Sequence, residues 1–344
     1  MTITLQESDK ITVTILIDNY TDRLLQNSLH AVRTPMIKGE KFLPAPLAEH
    51  GFSAVIKIHY NDQNRDLDEN KIGYESHNNT FLFDAGVSEE GLILNANNFG
   101  INFDEIEAII LSHGHFDHFT GLLNVLRRIS RPIDILVHPD AFLKRWLIFP
   151  DGRKARMPVL EEKILRKYGA IIHKSKTANF LPLKDFDHEN DMNSLASVPL
   201  LMTGQIPRET NFEKGFPFQY IEDPDENNLS PDPLVNDDQA VVVNIRDKGL
   251  VILSGCGHAG IINTINYAKT LTGISKIHAI IGGFHLTGAK IYEDAIDRTV
   301  DELQRANPEW IVPCHCTGWK AVNRIISLMP EKFIQTSVGT VFEF

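Results

Sequence analysis

Cysteine is scarce: the 344-residue chain has three, and two of them, Cys314 and Cys316, stand almost side by side. That is too few and too clustered for the disulfide framework of a small secreted domain. Long apolar runs are missing as well. The apolar stretches are strand-length and broken by charge, and none approaches the roughly 18 residues of a membrane-spanning helix. The first residues, MTITLQESDKITVTIL, lack the basic region and apolar run of a signal peptide. Basic residues are outnumbered, 34 Lys and Arg against 45 Asp and Glu, for a formal charge of -11. A surface of that sign repels nucleic-acid phosphates and anionic lipid, so neither nucleic acid nor membrane is expected as a partner. These absences leave a cytoplasmic enzyme acting on a small-molecule substrate.

What is present is an ordinary globular composition, 42% apolar and 23% charged, in a chain long enough to bury a full core. Ile11, Val13, Ile15 and Ile17 share one face of a strand, and residues 52–60 and 80–83 read as two more. Residues 105–112 (EIEAIILS) form a nearly continuous apolar run, as expected of a strand covered on both faces. That run empties into HGHFDHFTG, followed by a helix over 122–129 and a strand over 133–137. Further strands are predicted over 240–245, 250–253, 279–281, 310–312 and 334–338, the first two joined by a hairpin across 246–249. A helix over 292–306 puts Ile296, Val300 and Leu303 on one face and ends at Asn307-Pro308.

Residues 140–235 break this rhythm, with an amphipathic stretch over 159–168 and then Pro-, Asn- and Asp-rich sequence ending in EDPDENNLSPDPLVNDD. The segment is read as an insertion in a single domain spanning 1–344. It is expected to be solvated between Glu222 and Asp238 and to form a substrate-facing rim. The whole predicts an α/β fold of two facing sheets with outer helices. The histidine cluster then falls in a loop at the carboxyl end of a buried strand, where such folds carry their chemistry.

His113, His115, Asp117 and His118 are four potential metal ligands within six residues. Imidazole and carboxylate suit a borderline divalent ion, zinc first, with manganese, iron or magnesium as alternatives. Gly114 permits the turn that converges them. Without a cation, a buried imidazole cluster is costly to desolvate.

The pattern H-x-H-x-D-H after an apolar strand resembles the signature of the metallo-β-lactamase superfamily, from about Ile11 to the C-terminus and interrupted by 140–235. The resemblance implies an αβ/βα sandwich of two mixed sheets. Asp84, ending the strand before the signature, resembles the superfamily's preceding aspartate. His258 in SGCGHAG and His315 in VPCHCTG match its later histidines. More narrowly, AEHGFS (48–53), TGQIPRE (203–209), DDQA (237–240), GCGHAG (255–260), GGFHL (282–286) and PCHCTG (313–318) are similar to one branch. That branch is named after the archaeal dihydropterin–ribofuranosylaminobenzene phosphate synthase.

The resemblance also implies one or two bound divalent ions, one held by His113, His115 and His258, the other by Asp117, His118 and His315. By the same resemblance, the ions would activate water against an ester, phosphoester or lactone-like bond, with Asp117 orienting the water. The alternative it carries is transfer of a pterin from its diphosphate to an arylamine, releasing diphosphate; a flavodiiron-like redox protein or a non-catalytic binder are further ones. The superfamily usually places an aspartate between the two ions, on a strand end between the last two histidines. Here that stretch reads Gly282-Gly283-Phe284-His285, so two unequal sites are expected, with His285 a ligand or an acid/base group. Arg208 is a candidate for holding a phosphate or carboxylate of a phosphorylated or pterin-like substrate, and His50 and Thr203 for lining the pocket. Cys256, Cys314 and Cys316 are read as small buried packing residues, with a separate structural zinc site as the alternative.

Overall fold

The structure, a computed structural model, describes residues 2–62, 75–181, 199–223, 225 and 228–344. Alternation along the strand Lys10–Ile17 sends Ile11, Val13 and Ile15 into an interior that two sheets share. The first sheet runs Ala170–Lys174, Ile133–Val137, Ala108–Ile110, Glu75–Phe83, Ser53–Asp62, Lys10–Ile17, Val341–Glu343, Ala31–Val32. Its first four strands are parallel and the remainder antiparallel. The second sheet runs Asn179–Leu181, Leu200–Met202, Ala240–Ile245, Gly249–Ser254, Ile277–Gly283, Trp310–Cys314, with Glu7–Ser8 added beside Ala240–Ile245.

Between the sheets, Ile56, Phe81, Phe83 and Ile110 meet Val241, Val251, Leu253 and Ile281. The outer face of the first sheet, with Leu82, Ile109 and Ile135, packs on the helices Gly91–Phe99 and Leu122–Leu126. The outer face of the second packs on Ile261–Thr272, Ile296–Ala306 and Trp319–Leu328. Each buried Leu, Ile, Val or Phe contributes about 1.5–3 kcal/mol relative to exposure, so both faces of each sheet are anchored. Strands covered on both faces need apolar residues at every position, which is why AIIL, AVVVNI and GLVILS read as continuous runs. The parallel strands deliver their carboxyl ends to one edge of the sandwich. There lie the loops after Ala108–Ile110, Gly249–Ser254, Ile277–Gly283 and Trp310–Cys314.

Several sequence expectations change. Residues 140–235 supply Ala170–Lys174 to the first sheet and Asn179–Leu181 and Leu200–Met202 to the second. The segment also forms a separate four-stranded sheet of Arg145–Ile148, Lys154–Arg156, Gln219–Glu222 and Leu229–Pro231. The part over 182–198 lies outside the described residues. The stretch 222–238 is not solvated throughout: Asp237 is buried with its charge offset by Arg145 and the Gly114 amide, and Asp238 is buried against the Ala259 amide, burial raising its pKa to about 7. Residues 334–338 are not a strand. Ser337 and Thr336 instead bond Asp22 and Asp18, so side chains rather than a ladder hold this stretch, and the last strand is Val341–Glu343. The helix expected over 292–306 divides into Lys290–Glu293 and Ile296–Ala306. The buried run over 105–112 forms strand only at Ala108–Ile110, after a 3-10 turn at Phe103–Glu105. No helix among the described residues is long and apolar enough to cross a membrane.

Candidate metal centre

The loop after Ala108–Ile110 turns sharply at Gly114, where a Cβ would meet Ala141 O at 2.2 Å and Arg145 Nη1 at 2.5 Å. Only glycine allows that approach. The turn brings His113, His115, Asp117 and His118 inward, all buried. His258, from the loop after Gly249–Ser254, joins them: its Nε2 is 3.0 Å from His115 Nδ1. The His113 ring centroid lies 4.5 Å from that of His115 and 4.9 Å from that of His258. His315, after Trp310–Cys314, faces the opposite side of the cluster, with Nε2 3.4 Å from Asp117 Oδ2. Thus the six residues matched to the superfamily converge.

Each of four rings has one nitrogen occupied by a partner outside the centre, which leaves the other to face it. His113 Nδ1 lies 2.9 Å from Ser112 Oγ, and its Nε2 has no partner. His115 Nε2 donates to Gln219 Oε1, leaving Nδ1. His118 Nδ1 donates to Asp84 Oδ2 at 2.7 Å, leaving Nε2. His315 Nδ1 donates to Asn19 Oδ1 at 3.1 Å, while Asn19 Nδ2 donates to the His315 carbonyl at 3.1 Å and so fixes the amide's orientation. Such outer partners set the tautomer of metal-binding histidines.

Electrostatics agrees. Burial, reinforced by neighbouring imidazoles, holds His113 and His258 far below the usual histidine pKa, and burial with Arg145 lowers His115 to about 4. Their rings are therefore neutral at pH 7, with lone pairs free. Burial also opposes the charge on His118, but the carboxylates of Asp117 and Asp84 outweigh it and raise that ring to about 9. Asp117 stays ionised: although burial disfavours its charge, His118 and His315 hold it well below the usual carboxylate range. The neutral rings of His113, His115 and His258 beside a buried carboxylate are a donor set that a divalent cation fits, while an ion held by His118 would displace the proton that ring carries at pH 7.

Sequence reasoning missed the group at the middle. Cys256 Sγ lies within 4.8 Å of donor atoms of Asp117, His118 and His315, and equally of His113 and His258; it is 3.1 Å from His118 Nε2. It is therefore within reach of both donor sets, in a chain whose residues 282–285 lack the aspartate that the superfamily usually places between the ions. A side chain at Gly282 or Gly283 has no room there, since a Cβ would meet Ser254 O at 1.9 Å or Gly255 O at 2.5 Å. The available signal was SGCGH itself, a cysteine two residues before His258 at a buried strand's end. His285 packs on the His258 side, with ring centroids 4.1 Å apart and the rings tilted by 46°, and shares a third group with Cys256 and Cys316. Three non-glycine residues here have left-handed backbone, Asp84 (φ 58), His285 (φ 43) and His315 (φ 47), and such strain concentrates at functional sites.

The run DDQ also has a physical role. Asp237 Oδ2 accepts from Gly114 N at 2.7 Å and Oδ1 from Arg145 Nη2 at 2.6 Å. Asp238 Oδ2 accepts from Ala259 N at 2.7 Å, and Gln239 bonds the carbonyls of Leu111 and Ser112. These three residues tie the 113–118 loop to the 258 loop. Asp84 fixes the same loop from the other side, accepting from Ser112 N and Oγ, both at 2.7 Å.

The substrate-binding candidates fare differently. His50 stands at the rim, largely exposed, with Nε2 3.8 Å from Asp117 Oδ2. Thr203 is fully buried, and its hydroxyl is committed to Gly204 O and Ala240 N. Arg208 directs its guanidinium onto the carbonyls of Ile206, Leu234 and Val235, so its fork is occupied by main chain. Arg208→Ala is expected to destabilise the fold by about 1–3 kcal/mol through unmatched carbonyls while leaving KM unchanged; denaturant melts and steady-state kinetics check both.

Residues 74–272 match the family described as the metallo-beta-lactamase superfamily. The 7,8-dihydropterin-6-methyl-4-(beta-D-ribofuranosyl)-aminobenzene-5'-phosphate synthase of Methanocaldococcus jannaschii is 28% identical over 301 residues, 86% of this chain and 90% of that protein. An uncharacterized protein of the same organism is 31% identical over 294 residues, 86% of this chain and 93% of its own length. Among solved structures, a metal-dependent hydrolase of the beta-lactamase superfamily superposes with a TM-score of 0.66 at 20% identity, covering 97% of this chain and 98% of that one; this likeness speaks to the fold. With a matching sandwich, the ligand pattern on its strand ends and relatives spanning most of its length, the chain belongs to the metallo-beta-lactamase superfamily.

Proposed function

We propose that this chain is a divalent-metal-dependent enzyme that joins a dihydropterin, delivered as its methyl diphosphate, to an aminobenzene ribosyl phosphate. The observation that carries this reading is the 28% identity to the named synthase over 86% of the chain. In that reaction the arylamine nitrogen forms a bond to the pterin methylene carbon, the carbon–oxygen bond to diphosphate breaks, and the amine loses a proton. Bound divalent ions supply Lewis acidity, neutralising charge on a phosphorylated group and lowering the pKa of bound water. His113, His115 and His258 would hold one ion, and Asp117, His118 and His315 the other, with Cys256 between them. Zinc suits this set of imidazoles with a thiol. His50 is the candidate proton acceptor: the partial desolvation of its ring at the rim, with His315, lowers its pKa, so it is neutral at pH 7. Three free, buried cysteines suit a reducing cytoplasm.

In this proposal the pterin ring is assigned to one cavity. A cavity of about 230 Å³ adjoins His315 and Asn19 and is walled by Tyr20, Trp319 and Phe333, and flat heteroaromatic rings stack on such walls. Trp319 is 69% exposed, so losing it costs the fold little. Trp319→Ala should raise KM for the pterin substrate roughly two- to tenfold without changing metal content.

A second reading, hydrolysis of a phosphoester, is favoured by Asp117, a carboxylate placed among the donors to orient water. One assay separates the two. Metal-reconstituted protein is given the pterin methyl diphosphate with and without the aminobenzene ribosyl phosphate, and diphosphate and condensed product are followed by mass spectrometry. Condensed product only with both substrates supports the synthase. Diphosphate release independent of the amine supports hydrolysis, and no reaction with either removes the pterin assignment.

A further inference from the structure

Beside His258 lies a small chamber whose polar atoms have nothing to bond. Both ring nitrogens of His285 and the hydroxyl of Tyr292 are buried without a hydrogen-bond partner, as is Nδ1 of His258. The Tyr292 ring centroid is 4.7 Å from that of His285, which is 4.1 Å from that of His258. The three residues line a cavity of about 30 Å³, with Phe284, Ile291 and Lys214 in its wall. Folded proteins rarely leave buried polar groups unmatched unless a ligand, water or ion fills the place. Here the unmatched groups come from three residues that line one cavity; one His285 nitrogen lies within 4.8 Å of the Cys256 and Cys316 sulfurs, which leaves the other for the chamber.

Size limits the occupant. A single water needs roughly 10–15 Å³ by a comparable measure, so this chamber takes an oxygen or two and excludes a ring. Chemistry limits it further. Burial raises the Tyr292 pKa, so the phenol stays protonated and donates. Lys214 is exposed in the wall and adds positive charge. The nearby Glu213 carboxylate is turned away, accepting from the amides of Ile262 and Asn263 at 2.8 and 2.9 Å and from Thr210 Oγ1 at 2.9 Å. His285 has left-handed backbone (φ 43), and its ring centroid lies 4.1 Å from that of His258.

We propose that Tyr292 Oη and a ring nitrogen of His285 form a two-donor site for an anionic oxygen of the substrate's phosphoryl or diphosphoryl group, next to the ion held by His258. This rests on the metal-enzyme reading and adds to it the wall that receives the phosphorylated end. Tyr292 is then a binding group whose hydroxyl is unpaired only when no substrate is present.

The test is calorimetric titration of inorganic phosphate into metal-loaded full-length protein, for the wild type, Tyr292→Phe and His285→Gln. The expected result is a Kd raised about ten- to hundredfold in each variant, the span of a hydrogen bond to a charged group. Tyr292→Phe should also keep or raise the unfolding midpoint of the phosphate-free protein, because it deletes an unmatched hydroxyl. A structural role would lower that midpoint. Unchanged phosphate affinity in Tyr292→Phe overturns the proposal, as does absence of phosphate binding by the wild type. Loss of bound metal in His285→Gln overturns it too, because the ring would then be an ion ligand. No turnover is involved, so a failed condensation assay leaves this result standing, and weakened phosphate binding does not by itself rescue the pterin assignment.

Discussion

Cys256→Ala should lower turnover by more than a hundredfold and reduce bound metal from two ions per chain toward one, with little change in the stability of the metal-free protein. The size follows from position. Residues that merely orient metal ligands are worth about 10- to 100-fold in affinity or activity, and Cys256 stands in direct reach of both donor sets. A packing cysteine would behave otherwise: truncating so small a side chain leaves the metal in place and shows up as a modest stability loss. Elemental analysis of protein purified without added metal, paired with activity and thermal unfolding, distinguishes the two. A thiolate between the ions would also supply the negative charge that residues 282–285 lack. Asp117 would otherwise be the sole carboxylate among the matched ligands, with two like-charged ions close together.

Arg145→Met is expected to cost about 3–5 kcal/mol, the cost of leaving one member of a buried ion pair uncompensated. Arg145 is 1% exposed and pairs with the fully buried Asp237, whose other oxygen holds the Gly114 amide in the ligand loop. Burial alone would raise the Asp237 pKa, but Arg145 and His115 bring it below the usual value. A lowered carboxylate stabilises the fold above the unfolded pKa of about 3.9, and that contribution is lost as pH falls through the folded value. The Met variant should therefore lose stability at pH 7 and differ less from the wild type in strong acid. Urea melts of Arg145→Met, Asp237→Asn and the double variant measure the coupling. A single-variant loss below about 1 kcal/mol, the range of an exposed pair, would show that the pair does not anchor the loop.

The sequence disclosed most about places where chemistry is local. HGHFDH packs four donors into one turn after an apolar strand, and the fully buried strands announce themselves as uninterrupted Ile, Val and Leu. His258 and His315 were legible through the resemblance, because SGCGHAG and VPCHCTG match the contexts of the superfamily's later histidines. What stayed hidden depends on convergence across the chain. Cys256 reads as a small buried residue until the fold sets it between loops from four strands. Arg145 lies in a segment that looked inserted, yet its charge is buried to neutralise Asp237. Arg208 looked like a free fork for an anion, and the carbonyls of Leu234 and Val235 take it instead. Residues 334–338 alternate like a strand, but hydroxyls at 336 and 337 anchor the loop over 18–22 and no ladder forms.

The most direct measurement of the central claim, a centre for two ions that Cys256 would help to hold, is cobalt(II) titration of the metal-stripped chain followed by absorption spectroscopy. Two equivalents should bind, with a thiolate-to-cobalt charge-transfer band in the near ultraviolet that vanishes in Cys256→Ala and persists in Cys316→Ser. Two equivalents bound with no such band, or a band that survives Cys256→Ala, would contradict it.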